Sequence, residues 1–308
     1  MRAQVLAPIT IVDAMFTACN VNEPDASLAA PEVAWNPATN YTTLGIEVIR
    51  TTTHRVYTSL ATGVDAGLPE ATPTRWKDTR PTNKWAAFDL YRSTAIKKNG
   101  TLTMTVKPGI ITGLQFFGLV GDSIRVVCKN ATSGTTYYDQ TTSLSLYLSG
   151  DLEWEFWFGT ARQQDSLRIT GLYPQDAQVE ITLTASTVTG WAQIGIFALG
   201  SFQDLGIPEK GFKASPVDYS RIKVDSTTGE VSIEKGLAAK NISGECAMLN
   251  AEEGQAVCDV VYQLLGVPAA WVITTEPGYD YLSAFGLGSA DITAGDLPTL
   301  SLNVRGII

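Results

Sequence analysis

Histidine is nearly absent from this chain, since His54 is the single one among 308 residues. The four cysteines, Cys19, Cys128, Cys246 and Cys258, are far apart in the sequence and form no CxxC pair. Because protein zinc sites take cysteine and histidine ligands at short spacings, we expect no zinc site, and no other metal or cofactor. Isolated thiols are typical of a protein that is made and assembled in a reducing cytoplasm.

Basic residues are scarcer than acidic ones, with 22 Lys and Arg against 31 Asp and Glu and a net charge of −9. A protein whose main partner is nucleic acid needs positive charge to meet the phosphates, so we expect no nucleic-acid partner. The acidic excess is concentrated in residues 241–308, where eight acidic residues accompany one basic residue. This segment is either a solvated face or an electrostatic docking surface.

Long hydrophobic runs and catalytic motifs are also missing. No apolar segment has membrane length, and the first 20 residues are too interrupted for a secretory signal, so we expect no membrane insertion. The sequence has no Gly-x-Ser-x-Gly elbow, activated-cysteine signature or phosphate loop. We therefore expect His54 to be a strand or turn residue without a catalytic role.

The composition, with 44% hydrophobic and 17% charged residues, describes an ordered protein with room for two or three domains. The predicted fold class is mainly β: a small aromatic β module and a jelly-roll-like β-sandwich, followed by an α+β C-terminal domain. The predicted segments are an N-terminal arm or connector at 1–34, the aromatic module at 35–85, the sandwich at 86–206 and an α+β docking domain at 207–308.

Short β-type runs separated by turn residues predict the sandwich. They are Thr101–Val106, Ile111–Leu119, Ser123–Lys129, Thr135–Thr141, Leu152–Phe158, Ser166–Thr170, Gln178–Ala185 and Ala192–Leu199. In the fifth run Trp154, Phe156 and Phe158 alternate onto one face, which we predict to be core. Phe156→Ala should then cost roughly 3–5 kcal/mol of stability.

The opposite face of that run holds Glu153 and Glu155, about 7 Å apart by strand rise, beside Trp157. A glycosidase needs two carboxylates at such a separation next to an aromatic ring. Glycosidase carboxylates usually come from different elements that face each other across a cleft. We therefore favour a solvated strand face whose charges discourage edge pairing.

The C-terminal third combines a hairpin, a helix and strands. The hairpin is predicted from Arg221–Asp225 and Glu230–Lys235, and the helix from apolar spacing over Ala251–Leu265, with Asn250 as N-cap and Gly266 at its end. Strands are predicted at Ala269–Thr275, Tyr281–Phe285 and Leu300–Val304.

The N-terminal arm is predicted to contain a short helix at Ile11–Phe16. It also has an apolar run at 5–12 that Pro8 interrupts. An extended apolar run suits strand addition to a neighbouring subunit or partner protein, which we expect here. The competing interpretation makes the arm the first strand or helix of the aromatic module itself.

Large rings are concentrated in residues 35–85, where we find Trp35, Tyr41, Tyr57, Trp76 and Trp85. So short a segment is not expected to bury all of them in a core of its own. The rings therefore staple a small irregular sheet, dock on a neighbouring domain or face a ligand.

The order and spacing of these residues resemble small aromatic chitin-binding modules. The residues that carry this resemblance are Trp35, Tyr41, Gly45, Val48, Tyr57, Pro69 and Trp76. The following segment, WKDTRPTNKWAAFD at 76–89, is similar to a linker that leads into a β-sandwich in tail and baseplate proteins of tailed bacteriophages. The run from 158 to 206 also resembles the sandwich of those proteins.

The resemblance implies a non-enzymatic structural component of a phage virion, at the tail tip or baseplate, synthesised in the host cytoplasm. Its partners would be other tail or baseplate proteins and copies of itself in a trimer or higher ring, with bacterial-surface glycan as a further ligand. Trp35, Tyr57 and Trp76 would be the glycan-stacking residues, unless these rings pin the module to the sandwich. The alternatives are a glycan-binding receptor-recognition protein and, more weakly, a glycan hydrolase.

Overall fold

Most of the chain forms strands, and along many of them buried and exposed side chains alternate because successive residues point to opposite faces. The computed structural model describes residues 2–64, 67–91, 93–146, 162–224, 229, 231–236, 238–274, 276, 279–295 and 297–307. The strands up to residue 143 are β1 (Ala3–Pro8), β2 (Phe16–Cys19), β3 (Asn40–Tyr41), β4 (Glu47–Arg50), β5 (Arg55–Ser59), β6 (Gly63–Val64), β7 (Trp76–Pro81), β8 (Ile96–Asn99), β9 (Leu102–Gly109), β10 (Gly113–Phe117), β11 (Ser123–Asn130) and β12 (Thr136–Ser143).

The strands that follow are β13 (Ser145–Leu146), β14 (Arg162–Gln163), β15 (Ser166–Thr170), β16 (Ala177–Thr184), β17 (Trp191–Ile194), β18 (Ile196–Pro208), β19 (Lys213–Asp218), β20 (Arg221–Val224), β21 (Val231–Glu234), β22 (Ala238–Ala247), β23 (Ala269–Val272), β24 (Ser283–Thr293) and β25 (Thr299–Gly306). The α-helix α1 spans Ala251–Gln263, and short 3-10 helices span Pro69–Ala71, Asn83–Phe88 and Asp280–Leu282. The mainly β fold class is confirmed.

Two sheets enclose the largest core. One is five-stranded in the order β12-β11-β16-β9-β2, and the opposing one contains β15, β10 and β18. Met104, Ile124 and Ile181 from the first sheet lie in one buried cluster with Leu114 and Phe116 from the second. This arrangement confirms the predicted sandwich.

Most predicted strands of the sandwich coincide with observed ones, and β15 matches its prediction to the residue. The predicted strand Leu152–Phe158 lies outside the described residues, and so do the core aromatics Trp154, Phe156 and Phe158. Glu153 and Glu155 lie outside them as well. These assignments stay predictions.

The second sheet continues well beyond the sandwich. It is nine-stranded in the order β15-β10-β18-β1-β23-β24-β25-β22-β19. β18 spans 13 residues, pairing with β10 in the sandwich and with β22 near Pro208. The predicted domain boundary at 206–207 therefore falls inside a strand, and the sandwich and the α+β part share one sheet.

The N-terminal run is a central strand of this sheet, and the predicted strand addition to a neighbouring subunit is wrong. β1 pairs with β18 on one side and β23 on the other. Val5 belongs to the core under α1, whereas Leu6 points to a separate buried cluster on the other face. A strand that is covered on both faces has a continuous apolar sequence, which explains the first part of the apolar run, Val5-Leu6-Ala7.

The helix α1 covers one face of the C-terminal half of the sheet. The Asn250 side chain accepts a hydrogen bond from the Glu253 backbone N–H (2.8 Å), and the Glu253 carboxylate accepts one from the Leu249 N–H (2.7 Å). This reciprocal cap fixes the predicted helix start. Val257 and Val261 are buried against the sheet. The α+β prediction is compatible with this packing, although Leu265, predicted on the buried face, is exposed.

The helix predicted at Ile11–Phe16 is replaced by a tight turn. The backbone N–H groups of Met15 and Phe16 both donate to the Val12 carbonyl (2.8 and 3.2 Å), and β2 begins at Phe16. Six residues form too few intrahelical bonds to offset the cost of helix nucleation. Pairing of β2 with β9 takes its place.

Candidate functional sites

The predicted glycan-stacking rings form the module's own core. β4, β5 and β7 make a three-stranded sheet, on which Tyr41, Val48, Tyr57 and Trp76 cluster. Tyr57 is 4% exposed and Trp76 is 1% exposed. The rings of Tyr41 and Trp76 pack edge to face at 5.0 Å.

Tyr57 and Trp76 are therefore not available to stack on a sugar, and their assignment as stacking residues is wrong. Both rings belong to the buried cluster of the module itself. Trp35 is half-buried, and the Arg50 guanidinium lies over its ring at 5.0 Å. Together with Val48, the rings of Tyr41, Tyr57 and Trp76 make up this core, and Trp35 and Ile46 pack against it.

Other residues of the 76–89 segment dock the module on the sandwich. β7 leads into the 3-10 helix Asn83–Phe88, which places Trp85 and Phe88 against Phe16 of the sandwich. Both contacts are edge to face, with ring centroids 5.2 Å apart. Phe88 also contacts Phe197 at 5.9 Å.

The lone histidine lies at the same junction. His54 stacks on Trp85 at 4.3 Å, with its Nδ1 2.9 Å from a Glu23 oxygen and its Nε2 2.8 Å from an Asp13 oxygen. The Thr82 hydroxyl donates to the same Glu23 carboxylate (2.7 Å). With both nitrogens held by carboxylates of the N-terminal segment, the ring serves as a clamp between that segment and the module.

A buried polar network continues this junction beneath the surface. The Asn83 amide donates to the Asp25 carboxylate (2.6 Å) and accepts from the Lys97 backbone N–H (2.9 Å). The Glu32 carboxylate accepts the backbone N–H groups of Asn83 (2.7 Å) and Asp25 (2.8 Å). Burial raises the pKa of Glu32, and the two backbone N–H groups oppose that rise.

A cleft of about 780 Å³ opens above this network, between residues 28–30, the end of β7, and strands β8 and β17. Its size falls in the usual range for small-molecule sites. Trp191 contributes an aromatic wall, and Gln193 and Thr189 contribute polar groups. Among the described lining residues, Lys97 and Arg80 are cationic and none is acidic, although the Arg80 guanidinium pairs with Glu47 (2.8 Å). Such a lining suits a ligand with an apolar face, hydroxyl groups and negative charge.

Sequence reasoning singled out neither Trp191 nor the network of Asp25, Glu32 and Asn83. The Pro-Thr-Asn turn at 81–83 was a usable signal for the network, because an asparagine after Pro-Thr suggests side-chain bonding to backbone. Trp191 follows a Thr-Val-Thr-Gly turn and carries no comparable signal.

A two-stranded ribbon, β20 and β21, stands apart from the large sheet. Ile222 lies opposite Ile233, and Val224 lies opposite Val231. Directly opposed residues share a face, so the ribbon has one aliphatic face and one polar face. All four aliphatic side chains are 58–70% exposed.

Two of the thiols, Cys128 and Cys246, are buried. All four cysteines are free. Burial raises the pKa of Cys128 to about 11 and that of Cys246 to about 12, so both remain protonated at neutral pH. Within the described residues no group of three or more His, Cys, Asp and Glu side chains could hold a metal ion.

No helix in the described part of the chain has both the length and the apolar character to cross a membrane. Comparisons with family models, curated proteins and solved structures give no match for the chain.

Proposed function

We propose that this protein is a structural component of a tailed-bacteriophage virion, located at the tail tip or baseplate, where it holds neighbouring proteins by surface contact. The observation that carries the proposal is the role of the 76–89 segment. The residues that resemble the phage linker are the ones that fix the module to the sandwich. Trp76 lies in the core of the module, and Asn83 is hydrogen-bonded within the buried network. Trp85 and Phe88 pack on the sandwich.

A junction that fixes two parts of a chain relative to each other suits a structural component of a larger particle. Modules of one chain usually move relative to each other unless a large or apolar interface joins them. Here three aromatic contacts and a buried hydrogen-bonded network join the module to the sandwich, and His54 ties the module to the N-terminal segment. A component that positions its neighbours in a particle needs such a fixed geometry.

Deletion of the gene from the phage that encodes it, with complementation in trans, tests the proposal. We expect the deletion to give particles with defective tails and the parent protein to restore infectious titre. Trp85→Ala should restore less, since the junction loses its central ring. Tyr173→Ala, which alters a 74% exposed ring, is the matched control and should restore titre fully. Normal particles and titre from the deletion strain would rule out a structural role.

Glycan binding is the second candidate, and the cleft beside Trp191 favours it. An aromatic wall with amide, hydroxyl and cationic groups around it fits an acidic saccharide. A glycan array followed by calorimetry should show binding that Trp191→Ala abolishes and Tyr137→Ala, at an exposed ring on β12, leaves intact. Hydrolysis of glycan would appear as release of reducing sugar in the same samples, which tests the hydrolase alternative.

A further inference from the structure

The lone histidine has a carboxylate at each of its two ring nitrogens. His54 Nδ1 lies 2.9 and 3.0 Å from the two carboxylate oxygens of Glu23, and Nε2 lies 2.8 Å from an Asp13 oxygen. A neutral imidazole carries one N–H group, whereas the imidazolium carries two. Since an ionised carboxylate only accepts hydrogen bonds, both contacts form together only when the ring holds two protons.

These two carboxylates are the charged groups that face the ring. In the described part of the chain, Asp13 and Glu23 form ion pairs with His54 alone. Arg55, the basic residue next to His54 in the sequence, is bonded to the Asp78 carboxylate (2.8 Å). It is therefore engaged elsewhere and does not replace the histidine as the partner of either carboxylate.

Stacking holds the ring in place whichever nitrogen is protonated. The Trp85 ring lies on the imidazole of His54, with centroids 4.3 Å apart and planes inclined by 25°. Lys84, the basic residue next to Trp85, has its ammonium over the ring of Phe16 at 5.6 Å. The imidazole thus lies between an aromatic face and two acceptors, and loss of a proton changes its hydrogen bonds without removing the stacking contact.

The two carboxylates differ in their exposure to water. The Glu23 side chain is 5% exposed and also accepts the Thr82 hydroxyl (2.7 Å), whereas the Asp13 side chain is 73% exposed. A buried carboxylate is costly without donors, but an exposed one is hydrated when its partner leaves. The last proton of the ring therefore stays on Nδ1, next to Glu23, and the contact with Asp13 is the one that is lost.

The Asp13 contact joins the module to the sandwich. Asp13 lies in the tight turn that leads into β2, and β2 is the last strand of the five-stranded sheet. His54 lies in the module, between β4 and β5. A bond between these side chains therefore ties the turn at the edge of the sandwich to the module.

We propose that His54 is a proton-dependent latch between the module and the turn at residues 12–15. With two protons, the ring bonds Glu23 and Asp13 at once. Release of the Nε2 proton to water frees Asp13 and the turn, while the Nδ1–H bond to Glu23 persists. Histidine rings change charge between about pH 5 and 8, so the junction has one more contact in mild acid than in alkali. This inference rests on the junction alone and does not depend on the proposed virion role.

NMR of the full chain labelled with ¹⁵N-histidine reports the latch directly, because His54 is the single histidine. At about pH 5 we expect both ring nitrogens to be protonated, and at about pH 9 we expect a proton on Nδ1 and none on Nε2. A folded protein whose ring carries one proton at the acidic pH would overturn the inference. So would a ring that keeps its last proton on Nε2 at the alkaline pH.

A double-mutant cycle of Asp13→Ala and His54→Asn measures the contact itself. Asparagine tolerates the left-handed backbone at position 54, where φ is 55°. From urea unfolding at about pH 5, we expect a coupling equal to about a two- to fivefold change in the unfolding equilibrium constant, as for other exposed ion pairs. At about pH 9, beyond the range in which histidine titrates, the coupling should vanish.

The ion pair of Arg125 and Asp139 is the matched control. Its two hydrogen bonds are 2.8 and 2.7 Å long, and the guanidinium keeps its charge at both pH values. The cycle of Arg125→Ala and Asp139→Ala should therefore give the same coupling in acid and in alkali. A coupling between positions 13 and 54 that is equal at both pH values, or zero at both, would overturn the inference.

Discussion

Asn83 connects more of the fold than any other polar residue at the module junction. Its amide group bonds the Asp25 carboxylate and both backbone groups of Lys97, and its backbone N–H reaches Glu32. Buried polar groups are costly unless each of them has a partner. Asn83 therefore forms hydrogen bonds with buried polar groups that the aromatic rings beside it cannot satisfy.

Removal of that side chain should destabilise the protein strongly. Asn83→Ala leaves the Lys97 backbone groups and one Asp25 oxygen without their partner, and we expect a loss of at least about 2 kcal/mol in the free energy of unfolding. Asn99→Ala, at an exposed position on the neighbouring strand, should change it by less than about 0.5 kcal/mol. Urea denaturation of the two variants makes the comparison. Equal effects would mean that the network contributes nothing specific.

The aromatic residues show what a sequence pattern could not predict, namely which rings are buried. The resemblance located Tyr57 and Trp76 in one small module, but the order of rings along a chain does not state which face is buried. Tertiary packing decides that, and it placed both rings inside with Tyr41. Trp191 was not predicted as a site residue because a single half-buried tryptophan in a strand has no local sequence signature of a cleft.

Among the secondary-structure elements, the helix α1 could be predicted from local sequence signals alone. Asn250 and Glu253 form the cap that their spacing predicts, and the helix stops just before Gly266. The carboxylate of Glu253 also pairs with Arg2, which precedes β1. The cap thus joins the helix to the first strand of the sheet.

This cap should make stability depend on pH. The Leu249 N–H and then the Arg2 guanidinium hold the pKa of Glu253 below its usual value of 4.5. A lowered pKa in the folded state contributes stability above pH 4.5 and loses it as pH falls through the lower value. Glu253→Gln keeps an acceptor but lacks the charge, so it should be less stable by about 0.5–1 kcal/mol at neutral pH.

Denaturant unfolding of parent and variant across pH measures this effect. The stability difference should shrink steadily below pH 4.5 and disappear in strong acid. Glu252→Gln is the matched control, because Glu252 is exposed in the same first turn. A difference that stays constant down to strong acid would show that the charge of Glu253 is not involved.

For the whole molecule, the nine-stranded sheet is the feature that local patterns could not predict. β1 pairs with β18 and β23, which lie about 190 and 265 residues further along the chain. Alternation and turn residues locate strands, but they do not say which strands pair over such separations. The apolar run at 5–12 was therefore predicted to be an arm for a neighbouring subunit, although β1 lies inside the sheet of its own chain.

The central position of β1 leads to a prediction about the entire fold. Leu6 is fully buried, and Leu6→Ala should cost about 2–5 kcal/mol through lost burial and a residual cavity. Gln4→Ala, which alters a polar side chain on the same strand, should have a much smaller effect. Thermal and urea unfolding provide the measurement. A Leu6→Ala variant that melts with the parent would mean that β1 is not part of the folded core.

We propose that the chain is a fixed part of a tailed-phage particle. A cryo-electron microscopy map of an intact particle from a phage whose genome contains this sequence is the measurement that tests the proposal. We expect symmetry-related copies of the chain at the tail tip or baseplate. A complete map in which other proteins account for all tail and baseplate density would contradict the claim.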